Sequence, residues 1–217
     1  MQPIKLAATL FLLGALVLSQ FGCLGPGNNP PTRFYVLSSL SGVDSTLSPV
    51  ADLGDVAIGV GPVRIPGKID RQQIIFRSSQ SEIRPAGLAE WGDPLAAGFA
   101  RTLAENMSLL LNTEKVSIFP WLKATHTDYQ VTVDVIEFIG APGADAQLRG
   151  WWTLFGDSGK IELTKGYAVL KESVAGDDIA AVVEAQSRLV AALSRRVAEA
   201  IKTLWLSGRK MQKQSGS

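Results

Sequence analysis

The chain of 217 residues is 46% hydrophobic and 19% charged, with 21 Gly and 11 Pro. This excludes a wholly disordered chain, a collagen-like rod and a coiled coil, and leaves enough apolar side chains for one core. The formal charge is +1, but setting aside Lys5 and the three C-terminal bases leaves 17 Lys and Arg against all 20 Asp and Glu, a net −3 that offers no field to a nucleic-acid backbone.

Residues 1–22 join one charge, Lys5, to a thirteen-residue apolar stretch, 6–18, broken only by Thr9 and Gly14. A spanning helix takes about 20 apolar residues, so this stretch has the proportions of a secretory signal instead. The sole cysteine, Cys23, follows directly, and its placement resembles a bacterial lipoprotein signal, which is cut before a cysteine that receives lipid. Gly22 suits the small residue at −1, whereas Gln20 stands where Leu is usual at −3. Cys23 is therefore the expected lipid attachment, and Leu24 in place of Asp implies sorting to the outer membrane, with the domain on its periplasmic face. One cysteine permits no intrachain disulfide. Residues 23–32, with three Pro, two Gly and two Asn after the cysteine, read as a tether.

Short strands follow at 33–37 (RFYVL) and at 55–63 (DVAIGVGPV), where Pro62 is expected to end the strand or place it at an edge. Further strands are expected at 73–77 (QIIFR) and 82–84. Residues 94–111 carry Leu95, Phe99, Leu103, Met107 and Leu110 at helical spacing, with Asp93 as the cap and Pro94 as the first helical residue. A strand at 115–119 stops at Pro120. Tyr129, Val131, Val133 and Val135 then alternate along 128–139, and the turns Gly-Ala-Pro-Gly (140–143) and Gly-Asp-Ser-Gly (156–159) connect that strand to 147–155 and 161–170 in an antiparallel meander.

Residues 177–206 read as a long amphipathic helix with Asp177 and Asp178 at its positive end and Lys202 near its negative end. Residues 207–217 (SGRKMQKQSGS) read as a disordered tail. The expectation is one α+β domain over 33–206, a mostly antiparallel sheet with two main helices packed on one face.

Catalytic machinery is not legible. The one histidine, His126, stands in a polar loop (ATHTD), no G-x-S-x-G elbow exists, and the S-x-x-K spacing at Ser207 and Lys210 falls in the expected tail. Asp177 and Asp178 suit helix capping better than calcium, and the glycines at 61 and 67 are wrongly spaced for a phosphate loop. The reading is a non-enzyme with no cofactor beyond the lipid on Cys23 and no metal. The tryptophans say more: Trp151 and Trp152 are strand neighbours that must point to opposite faces, so one of them meets a helix, solvent or a partner.

Phe34-Tyr35-Val36-Leu37, Ile58-Gly59-Val60-Gly61-Pro62-Val63, Ile65-Pro66, Asp70-Arg71-Gln72-Gln73-Ile74, Arg77, Glu90-Trp91-Gly92-Asp93-Pro94-Leu95 and Leu103-Ala104-Glu105-Asn106 resemble the PqiC family of ABC-type transport auxiliary lipoproteins. The resemblance spans about residues 23–206, and Gly67-Lys68 departs from it. It implies a non-catalytic lipoprotein of an MCE-type intermembrane lipid transport system, membrane-bound through Cys23 and docking an MCE-domain protein. Arg71, Trp91, Trp151 and Trp152 are the candidate partner interface, with a structural role the favoured reading of the first two: Arg71 pairing a buried carboxylate, and Trp91 with Pro94 fixing the helix entry. An assembly or scaffold lipoprotein of another outer-membrane machine and a lipid-binding carrier domain stand as alternatives, and the sequence leaves open whether the working unit is a monomer or a homo-oligomeric ring.

Overall fold

A computed structural model describes residues 30–43, 48–121 and 125–215; Cys23 and most of the expected tether lie outside them. The elements are β1 (Arg33–Tyr35), α1 (Leu40–Val43), β2 (Ile58–Arg64), β3 (Gln73–Arg77), β4 (Ile83–Trp91), α2 (Leu95–Leu111), β5 (Val116–Ile118), β6 (Tyr129–Ile139), β7 (Asp145–Gly156), β8 (Ile161–Ser173) and α3 (Ile179–Ser215). They form an α+β fold with two sheets, of strand order β1-β4-β3 and β5-β2-β6-β7-β8. The β6-β7-β8 meander is antiparallel as expected. β3 and β4 also pair antiparallel. The strands form two sheets where one was expected, and both are mixed: β2 runs parallel to both β5 and β6, and β1 runs parallel to β4. Parallel neighbours need a crossover. Here β3, β4 and α2 together form the excursion between β2 and β5, so strands adjacent in sequence belong to another sheet.

Local chemistry explains the differences along the chain. Pro62 lies inside β2 and does not end it. β5 stops at Ile118, opposite Val60, so no strand on that side needs an N–H from residue 62, and the register with β6 shifts between Val60 and Val63. The short strand expected at 82–84 is a nine-residue β4 reaching Trp91, with Gly87 at φ +58° absorbing an irregularity midway. The 156–159 hairpin holds Asp157 and Ser158 at φ 47° and 54°, the successive left-handed pair of a type I′ turn.

Both helices lie on one face of the larger sheet, α2 against β2 and β5, α3 against β6, β7 and β8. The α2 stripe is fully buried, and Phe99 meets Phe138 of β6 edge-on at 5.4 Å. Pro94 is the residue before the helix, not its first, and Asp93 does not cap it but pairs with Arg101 at 2.6 Å; the Ala96 N–H instead reaches Asp70 Oδ1 at 3.4 Å. Asp178 caps α3 by accepting from the Ala181 N–H at 2.8 Å. α3 continues to Ser215, so the expected tail is helical through that residue, giving 37 residues and about 55 Å of helix. Except for Ser207, Gly208 and Ser215 the added residues are good helix formers. Arg209 stacks on Trp205 at 4.6 Å, and Ser207 Oγ donates to the Thr203 carbonyl at 2.9 Å.

Buried polar groups sew the helices to the N-terminal segment. Asn106 is fully buried; its Oδ1 accepts from the Leu40 N–H at 2.7 Å and its Nδ2 donates to Ser194 Oγ of α3 at 3.0 Å. Thr102 Oγ1 donates to the Leu37 carbonyl, and the Ser38 N–H donates to Ser187 Oγ. Each bond links segments far apart in sequence, so they fix one arrangement of an otherwise aliphatic core.

Candidate partner interface

The sequence candidates separate into two places. Trp91 ends β4, and its N–H donates to the Gln72 carbonyl at 2.8 Å. Only 5% of Trp91 is exposed, so its ring belongs to the core, which corrects its place among the interface residues and agrees with a role in the helix entry. Arg71 is exposed in the turn before β3, its Nε donating to the Gly67 carbonyl at 3.4 Å. It borders a cleft with Asp70, Gln72 and the Trp91–Pro94 stretch, at the start of α2. This corner fixes the helix start: Asp70 supplies its cap, and the Trp91 ring fills the core behind it.

Trp151 and Trp152 point to opposite faces of β7, as alternation requires. Trp152 is half-buried on the helix-facing side, and its indole lies over Gly166, where a Cβ would come within 2.4 Å of the ring. It therefore does not share a surface with Trp151. Trp151 is 41% exposed on the outer face, opposite Tyr167 of β8, with ring centroids 4.7 Å apart at 48°. Lys165 Nζ sits 4.8 Å above the Trp151 ring, and exposed Val169 continues the patch along β8. β8 is an edge strand of thirteen residues. Two aromatic rings and a valine in water on a rigid sheet, braced by a cation, have the character of a contact surface. Tyr167 could have been found in the sequence only with the β7–β8 register in hand.

Sequence reasoning also missed a charge cluster built around a largely covered carboxylate. Glu137 of β6, whose side chain is 14% exposed, accepts from Arg149 of β7 at 2.6 Å and from Arg77 of β3 at 2.5 Å, tying the two sheets together. The Arg77 N–H also donates to the Gly140 carbonyl at 2.9 Å. Burial disfavours a lone carboxylate, and two guanidinium groups compensate it.

His126 has Ser158 Oγ 3.4 Å from Nδ1 and Asp128 Oδ1 3.4 Å from Nε2, the residue types of a hydrolytic triad. The His126 side chain is 73% exposed, and Asp128 Oδ2 already accepts from the Ala57 N–H at 2.7 Å. A triad needs a buried carboxylate that orients the imidazole; this carboxylate is in solvent, so the group is a loop contact. Among the described residues no three His, Cys, Asp or Glu cluster as metal ligands, and no helix is long and apolar enough to cross a membrane.

A family model for the ABC-type transport auxiliary lipoprotein component matches residues 35–198. Among solved structures, the fold is similar to the protein XCC0632 from Xanthomonas campestris, with a TM-score of 0.60 at 14% identity over 83% of this chain and 99% of that one. It is also similar to an uncharacterized protein, with a TM-score of 0.58 at 18% identity over 79% of this chain and 99% of that one. At those identities the likeness concerns the fold. A search of curated proteins finds no match.

Proposed function

We propose, from the premise that the chain belongs to the family of ABC-type transport auxiliary lipoprotein components, that it is the lipid-anchored, non-catalytic subunit of an MCE-type intermembrane lipid transport system. On this reading Cys23 carries the lipid, the domain faces the periplasm from the outer membrane, and the outer face of the larger sheet docks the MCE-domain protein. The observation that carries the docking role is the Trp151–Tyr167 pair, held in solvent on a rigid strand where the core does not need it. Arg71 is exposed at the other corner, and a second contact there is compatible with the same role.

The test combines fractionation with affinity capture. Wild type should sediment with outer membranes and retain an MCE protein, while Cys23→Ser should become soluble yet still capture it. Trp151→Ala should keep its thermal midpoint within about 2 °C and lose capture, since a truncated interface anchor commonly costs about 2 kcal/mol or more. Capture by Trp151→Ala equal to wild type would remove this face from the proposal, and a wild type that binds no MCE protein would overturn the docking role.

A further inference from the structure

A second surface lies at the junction of the two sheets. Arg77 of β3, Arg149 of β7 and Lys68 of the preceding turn border one pocket of about 160 Å³, with Glu137 between the two arginines. Three cations against one carboxylate leave a net charge of +2 at its rim. The carboxylate does not use all the donors. Arg149 bonds Glu137 through Nε and Nη2, and Arg77 through Nη2 while its Nη1 donates to the Gln80 carbonyl, which leaves Arg149 Nη1 and Arg77 Nε for another acceptor. Lys68 is exposed and has no ion-pair partner among the described residues. Three isoleucines share the lining with these donors: Ile69 is buried, while Ile83 and Ile136 are 36% and 42% exposed.

We infer that this pocket binds a phosphate-bearing group joined to a short apolar chain, the head and first methylenes of an anionic amphiphile. The arginine forks are held in place by Glu137, so their donors are pre-ordered for tetrahedral oxygens, and Lys68 supplies a movable point charge. Ile83 and Ile136 then cover the chain next to the phosphate, which accounts for two isoleucines left in water beside charged groups. The pocket is smaller than the roughly 300–1,000 Å³ that encloses a drug-sized ligand, so it takes a headgroup and not a whole lipid. The pocket adjoins the docking patch, since Arg149 lies opposite Val169 on the same face, but the inference does not rest on docking: Lys68→Glu and Ile83→Asn change neither Trp151 nor Tyr167.

The test is calorimetric titration of the full mature chain, in a non-ionic detergent, with three probes: dihexanoyl phosphatidylglycerol, glycerol phosphate and inorganic phosphate. The expected result is saturable binding of the short-chain lipid, weakened about tenfold or more by Lys68→Glu and by Ile83→Asn. Neither variant disturbs a buried residue, and unchanged thermal midpoints confirm that the fold persists. Glycerol phosphate binding as tightly as the lipid, with Lys68→Glu weakened and Ile83→Asn unaffected, supports the phosphate site and assigns it to a soluble phosphate ester. Absence of saturable binding by all three probes, or equal affinities of wild type and Lys68→Glu, overturns the inference.

Discussion

Asn106→Ala tests the polar seam between α2, α3 and the segment that leads into α1. The side chain is fully buried and holds two bonds at 2.7 and 3.0 Å. Truncation leaves the Leu40 N–H, on a residue 1% exposed, without an acceptor. An orphaned buried donor costs about 1–3 kcal/mol, and the lost bond to Ser194 adds about 0.5–1.5 kcal/mol. Ser194 Oγ keeps the Val190 carbonyl at 2.7 Å, so its own hydroxyl remains satisfied. The sum is about 3 kcal/mol, a large share of a typical total of about 5–15 kcal/mol. At about 2–4 °C per kcal/mol for a domain of this size, the thermal midpoint should fall by about 6–12 °C. Circular dichroism melts and urea unfolding at unchanged m-value measure it. Asn106→Leu restores volume but not the acceptor, so it should recover less than half of the loss. A drop under about 1 °C for Asn106→Ala, or full recovery in Asn106→Leu, would refute the assignment of stability to these two bonds.

Gly166→Ala should force the Trp152 indole off its seat, because the new Cβ would stand 2.4 Å from it; a loss of about 1–3 kcal/mol and a red-shifted tryptophan emission are expected. Gln186 is 2% exposed, with Oε1 unpartnered and Nε2 only 3.5 Å from the Phe138 carbonyl. Gln186→Met should therefore be neutral or raise stability by about 1 kcal/mol in urea melts; a loss above that would show that Oε1 has a partner. Burial, and secondarily the charge of Asp128, hold the Tyr129 phenol above the ordinary tyrosine range. Its folded value is raised, so its contribution to stability is present below the unfolded value of about 10 and disappears as pH climbs through the folded one. Absorbance titration at alkaline pH should show the Tyr129 phenol ionising late, and earlier in Asp128→Asn.

What the sequence disclosed follows from where periodicity is local. Phe99, Leu103 and Met107 repeat at helical spacing and are all buried, and Val131, Val133 and Val135 alternate into the same core. The meander was legible because glycine-rich turns punctuate it. The parallel pairing of β2 was not, since nothing within 55–63 tells which strand, residues away, will lie beside it. Trp91 entered the candidate interface through the resemblance of Glu90-Trp91-Gly92-Asp93-Pro94-Leu95, and its neighbours alone do not decide between surface and core. Its burial depends on β1 and α2 closing over it, a tertiary event with no signature at that position. The Arg77–Glu137–Arg149 cluster was hidden for the same reason: its members come from three strands and two sheets. The helical run beyond Ser207 was masked by Gly208 and by flanking serines, although its remaining residues favour helix.

The parallel placement of β1 against β4 also determines how the domain bears tension. A pull on the chain ahead of Arg33 runs along β1, so the ladder that joins Arg33–Tyr35 to Ala89–Trp91 is loaded in shear, with its bonds strained together and not peeled one at a time. Just behind it the Gly92 N–H holds the Tyr35 carbonyl at 2.8 Å, and Leu37 and Leu40 are sunk in the core. The force is thus delivered to α2 and α3 through Thr102, Asn106 and Ser187. A strap of eight residues, Arg33 to Leu40, therefore takes up any load applied ahead of it, and loosening its bonds would let those residues peel away before the rest of the domain unfolds.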